Sequence, residues 1–73
     1  MVEPKFEIGE ILEYRNLAAD SVFHADSIYL KINHTLGILT GYIQSPDFIR
    51  YKWFSQKCLV EISVFEDELH KVE

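Results

Sequence analysis

Apolar and polar residues alternate with a period of two through much of this chain, most clearly across residues 36–64, LGILTGYIQSPDFIRYKWFSQKCLVEISV. Three runs rich in β-branched and aromatic residues lie there, separated by Ser45-Pro46-Asp47 and by Ser55-Gln56-Lys57. That pattern predicts a β-meander. In the first run Ile38, Thr40 and Tyr42 oppose Gly37, Leu39, Gly41 and Ile43. Both faces are apolar, so this strand is expected at the centre of a sheet, with Gly41 marking a sharp bend or the close approach of another backbone. In the second run Ile49, Tyr51 and Trp53 alternate with Arg50, Lys52 and Phe54. The first set is expected to be core, with Trp53 largely buried. In the third, Cys58, Val60, Ile62 and Val64 alternate with Leu59, Glu61 and Ser63. Pro46 presets φ for a type I turn between the first two runs.

Two further segments precede the meander. Residues 5–14, KFEIGEILEY, carry Phe6, Ile8, Leu12 and Tyr14 in one parity, which predicts a half-buried strand broken by a bend at Gly9. Residues 27–34 alternate as well. Ile28, Leu30 and Ile32 are expected inward, with Tyr29, Lys31 and Asn33 outward, followed by a hairpin connection in which Gly37 is free to take a positive φ. Between these two strands lies a long loop, residues 16–26, with one helical turn over Leu17, Ala18 and Ala19 capped by Asn16. At the other end, Phe65, Leu69 and Val72 are spaced for one or two turns of helix, which predicts a short 3-10 or α turn closing the fold. Five short strands, a long first loop and a terminal turn add up to an all-β class and a small five-stranded barrel, since closure removes exposed strand edges. At 73 residues the chain is read as a single domain, residues 1–73.

At this point the order of features resembles the SH3-like β-barrel superfamily, the group that holds KOW, Tudor and photosystem-accessory barrels. Phe6-Glu7-Ile8-Gly9-Glu10-Ile11-Leu12 is similar to the first strand of such barrels, and Gly37-Ile38-Leu39-Thr40-Gly41-Tyr42-Ile43 to their central strand. Glu66-Asp67-Glu68-Leu69 with Val72 looks like their closing turn and last short strand. The resemblance implies an SH3-like barrel and says little about activity, because one fold hosts many functions. The chain departs from a KOW motif, which packs glycines and basic residues around its first loop. A small acidic chain of this kind also looks like many phage or plasmid accessory and inhibitor proteins.

Composition narrows the chemistry. The formal net charge of −5 argues against a dedicated nucleic-acid binder without excluding a local basic stripe. The single cysteine, Cys58, allows no internal disulfide framework and suggests a reducing cytoplasm. Set among apolar neighbours, it is expected to be a small, unreactive core residue. The start of the chain shows no signal pattern and no apolar run reaches the length of a membrane span, so a cytoplasmic protein without a membrane role is expected. His24 with Asp20 and Asp26 is the one local group with ligand chemistry, and it fits turn formation better than a metal site. Glu7, Glu10 and Glu13, like Glu66, Asp67 and Glu68, are read as solvated carboxylates or an acidic patch. No nucleophile–base pair, phosphate loop or metal spacing is present, so no catalytic residue, no metal, no cofactor and no enzyme activity is expected.

What stands out is a set of cations alternating with aromatics. Tyr29, Lys31, Arg50, Lys52 and Phe54 are expected on one outward face, with Phe23 of the long loop as an additional anchor. Tyr and Arg are enriched at protein interfaces. The first expectation is therefore a non-catalytic barrel acting through protein–protein interaction, self-association included. The alternative is a nucleic-acid-binding barrel that stacks bases on the same face.

Overall fold

The computed structural model describes residues 3–17 and 28–72. It contains five antiparallel strands in one sheet: β1 (Ile11–Tyr14), β2 (Leu36–Gln44), β3 (Ile49–Ser55), β4 (Val60–Phe65) and β5 (Leu69–Lys71). Their spatial order is β4-β3-β2-β1-β5. A short helix, α1 (Ile28–Ile32), precedes β2, and a 3-10 turn (Glu66–Glu68) joins β4 to β5. The all-β, five-stranded class expected from the alternation holds, and β2 is the central strand.

The inward faces of all five strands share one core of Phe6, Leu12, Tyr14, Ile32, Leu39, Ile49, Tyr51, Trp53, Val64 and Leu69. The sheet therefore curls around its apolar side into a small barrel-like fold. Trp53 is completely buried, as its parity predicts. Its indole Nε1–H donates to the Leu12 carbonyl at 3.1 Å, which satisfies the ring's one polar atom. The ring rests against Gly37 of β2. A Cβ at Gly37 would sit 2.3 Å from Trp53 Cε2 and 2.4 Å from the Phe54 carbonyl oxygen.

That contact corrects the expected role of Gly37. Its backbone needs no positive φ; the residue is there for space. His34 takes the left-handed conformation instead, at φ 64°. The hairpin expected around it does not form because residues 28–32 are helical. The apolar positions Ile28 and Ile32 are four apart, so they share a helix face as readily as a strand face. A run this short satisfies both periods. Ile32 is buried and Ile28 packs on the core. The Asn33 N–H closes the turn onto the Tyr29 carbonyl at 3.1 Å. Asn33, expected outward, is buried.

Two smaller corrections concern ends, and the terminal turn holds. The first strand starts at Ile11, because the chain turns at Gly9 (φ 92°) and leaves Ile8 exposed. Cys58 lies in the turn before β4, half-buried against the core, and its N–H donates to Ser55 Oγ at 3.1 Å. The terminal turn is a single 3-10 turn followed by β5, so of Phe65, Leu69 and Val72 only Leu69 is buried. The bend expected at Gly41 is a β-bulge: the β2–β3 register shifts between Leu39 and Gly41. A Cβ at Gly41 would meet only Lys52 Cδ, at 3.8 Å, so no other backbone approaches closely. The helical turn expected at residues 17–19 falls largely outside the described residues, as does the loop group of Asp20, His24 and Asp26.

Polar groups tie the 3-10 turn to two core tyrosines. The Tyr14 hydroxyl donates to Glu68 Oε2 at 2.9 Å, and the Asn16 side-chain amide donates to the same oxygen at 2.7 Å. Glu68 Oε1 accepts from the Phe65 N–H at 2.8 Å. Two residues earlier in the same turn, Glu66 Oε2 accepts from the Tyr51 hydroxyl at 2.7 Å, and the Tyr51 oxygen accepts from the Lys5 N–H at 2.9 Å. Burial, reinforced by Glu68, holds the Tyr14 hydroxyl well above its usual pKa of 10.0. Burial and the Glu66 bond raise Tyr51 as well.

Two outcomes follow from this packing. Gly37→Ala forces the Trp53 ring or the β3 backbone aside and is expected to cost about 1–3 kcal/mol or more in urea denaturation; unchanged stability would mean the ring does not rest on Gly37. With both tyrosine pKa values raised in the fold, the unfolded chain loses those protons first. The stability they contribute is complete below pH 10.0, the unfolded value, and is lost as pH rises above it. Thermal melts are expected to fall above that pH, less steeply for Tyr14→Phe.

Candidate functional site

Strand β3 alternates buried and accessible positions along its whole length. Ile49, Tyr51, Trp53 and Ser55 are committed to the core, so Arg50, Lys52 and Phe54 stand on the outer face. Residues directly opposite each other on paired strands share a face. The register therefore sets three rows across β2, β3 and β4: Ile43–Arg50–Phe65, Gly41–Lys52–Ser63 and Ile38–Phe54–Glu61.

The first row is the most distinctive. The Arg50 guanidinium carbon stands 4.7 Å from the centre of the Phe65 ring, a cation–π stack. Arg50 Nε is buried and has no hydrogen-bond partner. Ile43 flanks it and is 55% exposed, while the Phe65 ring is 46% exposed. Arg15, by contrast, is already paired with Glu13. In the middle row Gly41 leaves Lys52 uncovered. The bulge places the Thr40 hydroxyl 3.0 Å from the Lys52 carbonyl and 2.9 Å from Glu61 Oε2, so one proton is shared between two acceptors. At the tip of the β3–β4 hairpin Leu59 is 71% exposed with a left-handed backbone, φ 57°.

Of the residues expected to form one face, the structure brings Arg50, Lys52 and Phe54 together. Tyr29 and Lys31 sit on α1 instead. Tyr29 is 43% exposed, and its ring centre lies 6.3 Å from that of Tyr14, on the core side of β1. The strand expected there would have put both residues on the sheet face; the helix removes them. Phe23 lies outside the described residues. Sequence reasoning missed Ile43, Phe65 and the role of Thr40. Phe65 continues the alternation of the last run by one residue, so extending that strand would have found it. Ile43 faces outward beside Arg50 only because the bulge offsets β2 against β3, and the sequence signals that by Gly41 alone.

Among the described residues no group of three His, Cys, Asp or Glu could hold a metal ion, and no helix is long and apolar enough to cross a membrane. No family model, curated protein or solved structure matches this chain.

The stack between Arg50 and Phe65 is testable by itself. In a double-mutant cycle, Arg50→Ala and Phe65→Ala are expected to couple by about 0.5–1 kcal/mol in urea denaturation. Additive effects would show that the guanidinium does not rest on the ring.

Proposed function

We propose that this protein is a non-catalytic binding module that holds a protein partner on the outer face of β2, β3 and β4, in the manner of a small accessory or inhibitor protein. The observation that carries the reading is Arg50. Its guanidinium is held in place by the Phe65 ring, its Nε lacks a hydrogen-bond partner, and apolar Ile43 lies beside it. A pre-positioned cation within an apolar surround is the composition of an interface anchor. Lys52 and Phe54 extend the same face, which is basic and aromatic on a chain of net charge −5. That contrast gives the face electrostatic complementarity to an acidic, partly apolar protein surface.

Salt separates this reading from nucleic-acid binding by the same residues. Phosphate contacts release counterions and weaken steeply with salt, whereas an apolar interface does not. A partner is recovered from native cells on the immobilised chain and then titrated against it. Arg50→Glu with Phe54→Ala is expected to weaken that complex by about 2–4 kcal/mol, with circular dichroism unchanged. Undiminished affinity in the folded variant would move the interface off this face. A steep salt slope with loss of binding after nuclease treatment would replace the protein partner with nucleic acid.

A further inference from the structure

The two edges of the sheet are unequal. β5 is three residues long and ends on Lys71. β4 is six residues long, contains no proline, lysine or arginine, and pairs with β3 without a register shift. Among the described elements β3 alone packs extensively on it. Natural edge strands are usually kept short or blocked with a lysine, a proline or a bulge. β5 carries two of these protections, whereas β4 has a single charge, Glu61, although its centre, Glu61, Ile62 and Ser63, is accessible or partly so. A bare edge of this kind is a template for another strand.

We infer that β4 pairs antiparallel with β4 of a second copy of this chain, centred on Ser63. The inference deepens the binding reading above by naming the occupant of the edge beside the proposed face. Two constraints narrow the register to two. In an antiparallel pair of identical strands, residues that oppose one another must share both their hydrogen-bonding direction and their face, so they differ in number by an even amount. Two registers then tie for the longest overlap: one sets Ile62 opposite Ile62, and the other sets Ser63 opposite Ser63, Ile62 opposite Val64 and Glu61 opposite Phe65. The apolar inner row of one barrel continues into that of the other.

Charge selects the Ser63 register over the Ile62 one. It places the copy's Glu61 against the Phe65 ring on which Arg50 is stacked. The two Cα atoms, of Arg50 and of the copy's Glu61, are then two interstrand spacings apart, about 10 Å, within the joint reach of the two side chains. Arg50 has a buried nitrogen without a hydrogen-bond partner, and Glu61 uses only Oε2, in the bond shared with Thr40. Swinging Glu61 across the edge gives up that exposed bond and gains a charge-assisted one. The twofold axis makes the exchange twice.

The test uses the full chain and reads register directly. Cys58→Ser/Ser63→Cys puts two thiols opposite each other across the twofold axis, while Cys58→Ser/Glu61→Cys puts them about 14 Å apart along the strands, too far for a disulfide. Under mild oxidation Ser63→Cys is expected to form a disulfide-linked dimer at least about tenfold faster than Glu61→Cys. Sedimentation of the unmodified chain is expected to show a concentration-dependent dimer. Ser63→Lys sets like charges face to face and should raise its dissociation constant by about tenfold, with the circular dichroism of the monomer retained. Equal cross-linking of the two cysteine variants, or an unmodified chain that stays monomeric at its solubility limit, would overturn the pairing. If the chain is monomeric and Arg50→Glu/Phe54→Ala still abolishes capture of another protein, the edge pairing falls and the binding face stands.

Discussion

The contact between Trp53 and Gly37 holds the rest of this structure in register. A domain of 73 residues buries a smaller share of its surface than a large one, so one indole is a substantial part of its core. The ring can approach β2 so closely only because position 37 has no Cβ, and its N–H reaches the Leu12 carbonyl on β1. One side chain from β3 therefore touches the two strands next in order. That arrangement fixes how β1, β2 and β3 stack, and so which residues of β3 are left to face outward. The site on the outer face is the reverse side of the same packing: Arg50, Lys52 and Phe54 are outside because Tyr51 and Trp53 are inside.

Polar groups do for the closing turn what the indole does for the middle of the sheet. Asn16 and Asn33 exchange hydrogen bonds, the Asn16 N–H to Asn33 Oδ1 at 2.7 Å and the Asn33 side-chain amide to the Asn16 carbonyl at 3.1 Å. This ties the chain just after β1 to the residue that follows α1. Glu68 then joins that point to the 3-10 turn, because its carboxylate accepts from Tyr14, Asn16 and the Phe65 N–H. Its own carbonyl accepts from the Arg15 N–H at 2.8 Å. A buried or half-buried carboxylate with several donors is well compensated, and losing any one donor leaves the others in place.

What the sequence made legible follows from the length of each pattern. Ile49 to Phe54 alternate without a break, so the faces of those residues are legible directly, whereas Ser55, which reads as part of the next turn, is the last inward residue of β3. Burial of Trp53, the central place of β2 and the turn after Gln44 could be read for the same reason. Residues 28–32 were not legible as a helix, because Ile28 and Ile32 satisfy either period and nothing nearby breaks the tie. That one ambiguity moved Tyr29 and Lys31 off the expected face. The candidate site was half readable: β3 supplied three of its residues, whereas Ile43 and Phe65 depend on which residues pair across strands. Pairing is a non-local property, and no window of sequence contains it.

The bulge at Thr40 has a consequence of its own. Before it, Leu39 points into the core with Trp53; after it, Tyr42 stands beside core-facing Tyr51, and Ile43 lies in the outer row with Arg50. One extra residue thus acts as a reading-frame shift written in the backbone. Thr40 and Tyr42 share a parity in the sequence, yet Thr40 bonds to the Lys52 carbonyl and Glu61 while Tyr42 lies beside Tyr51. Removing the extra residue would restore plain alternation and leave Tyr42 beside Tyr51 and Ile43 beside Arg50, because the bulge residue is the one that pairs with nothing. The strand can therefore shorten at this point without either face changing its chemistry, while the core around Trp53, on the near side of the bulge, is left untouched.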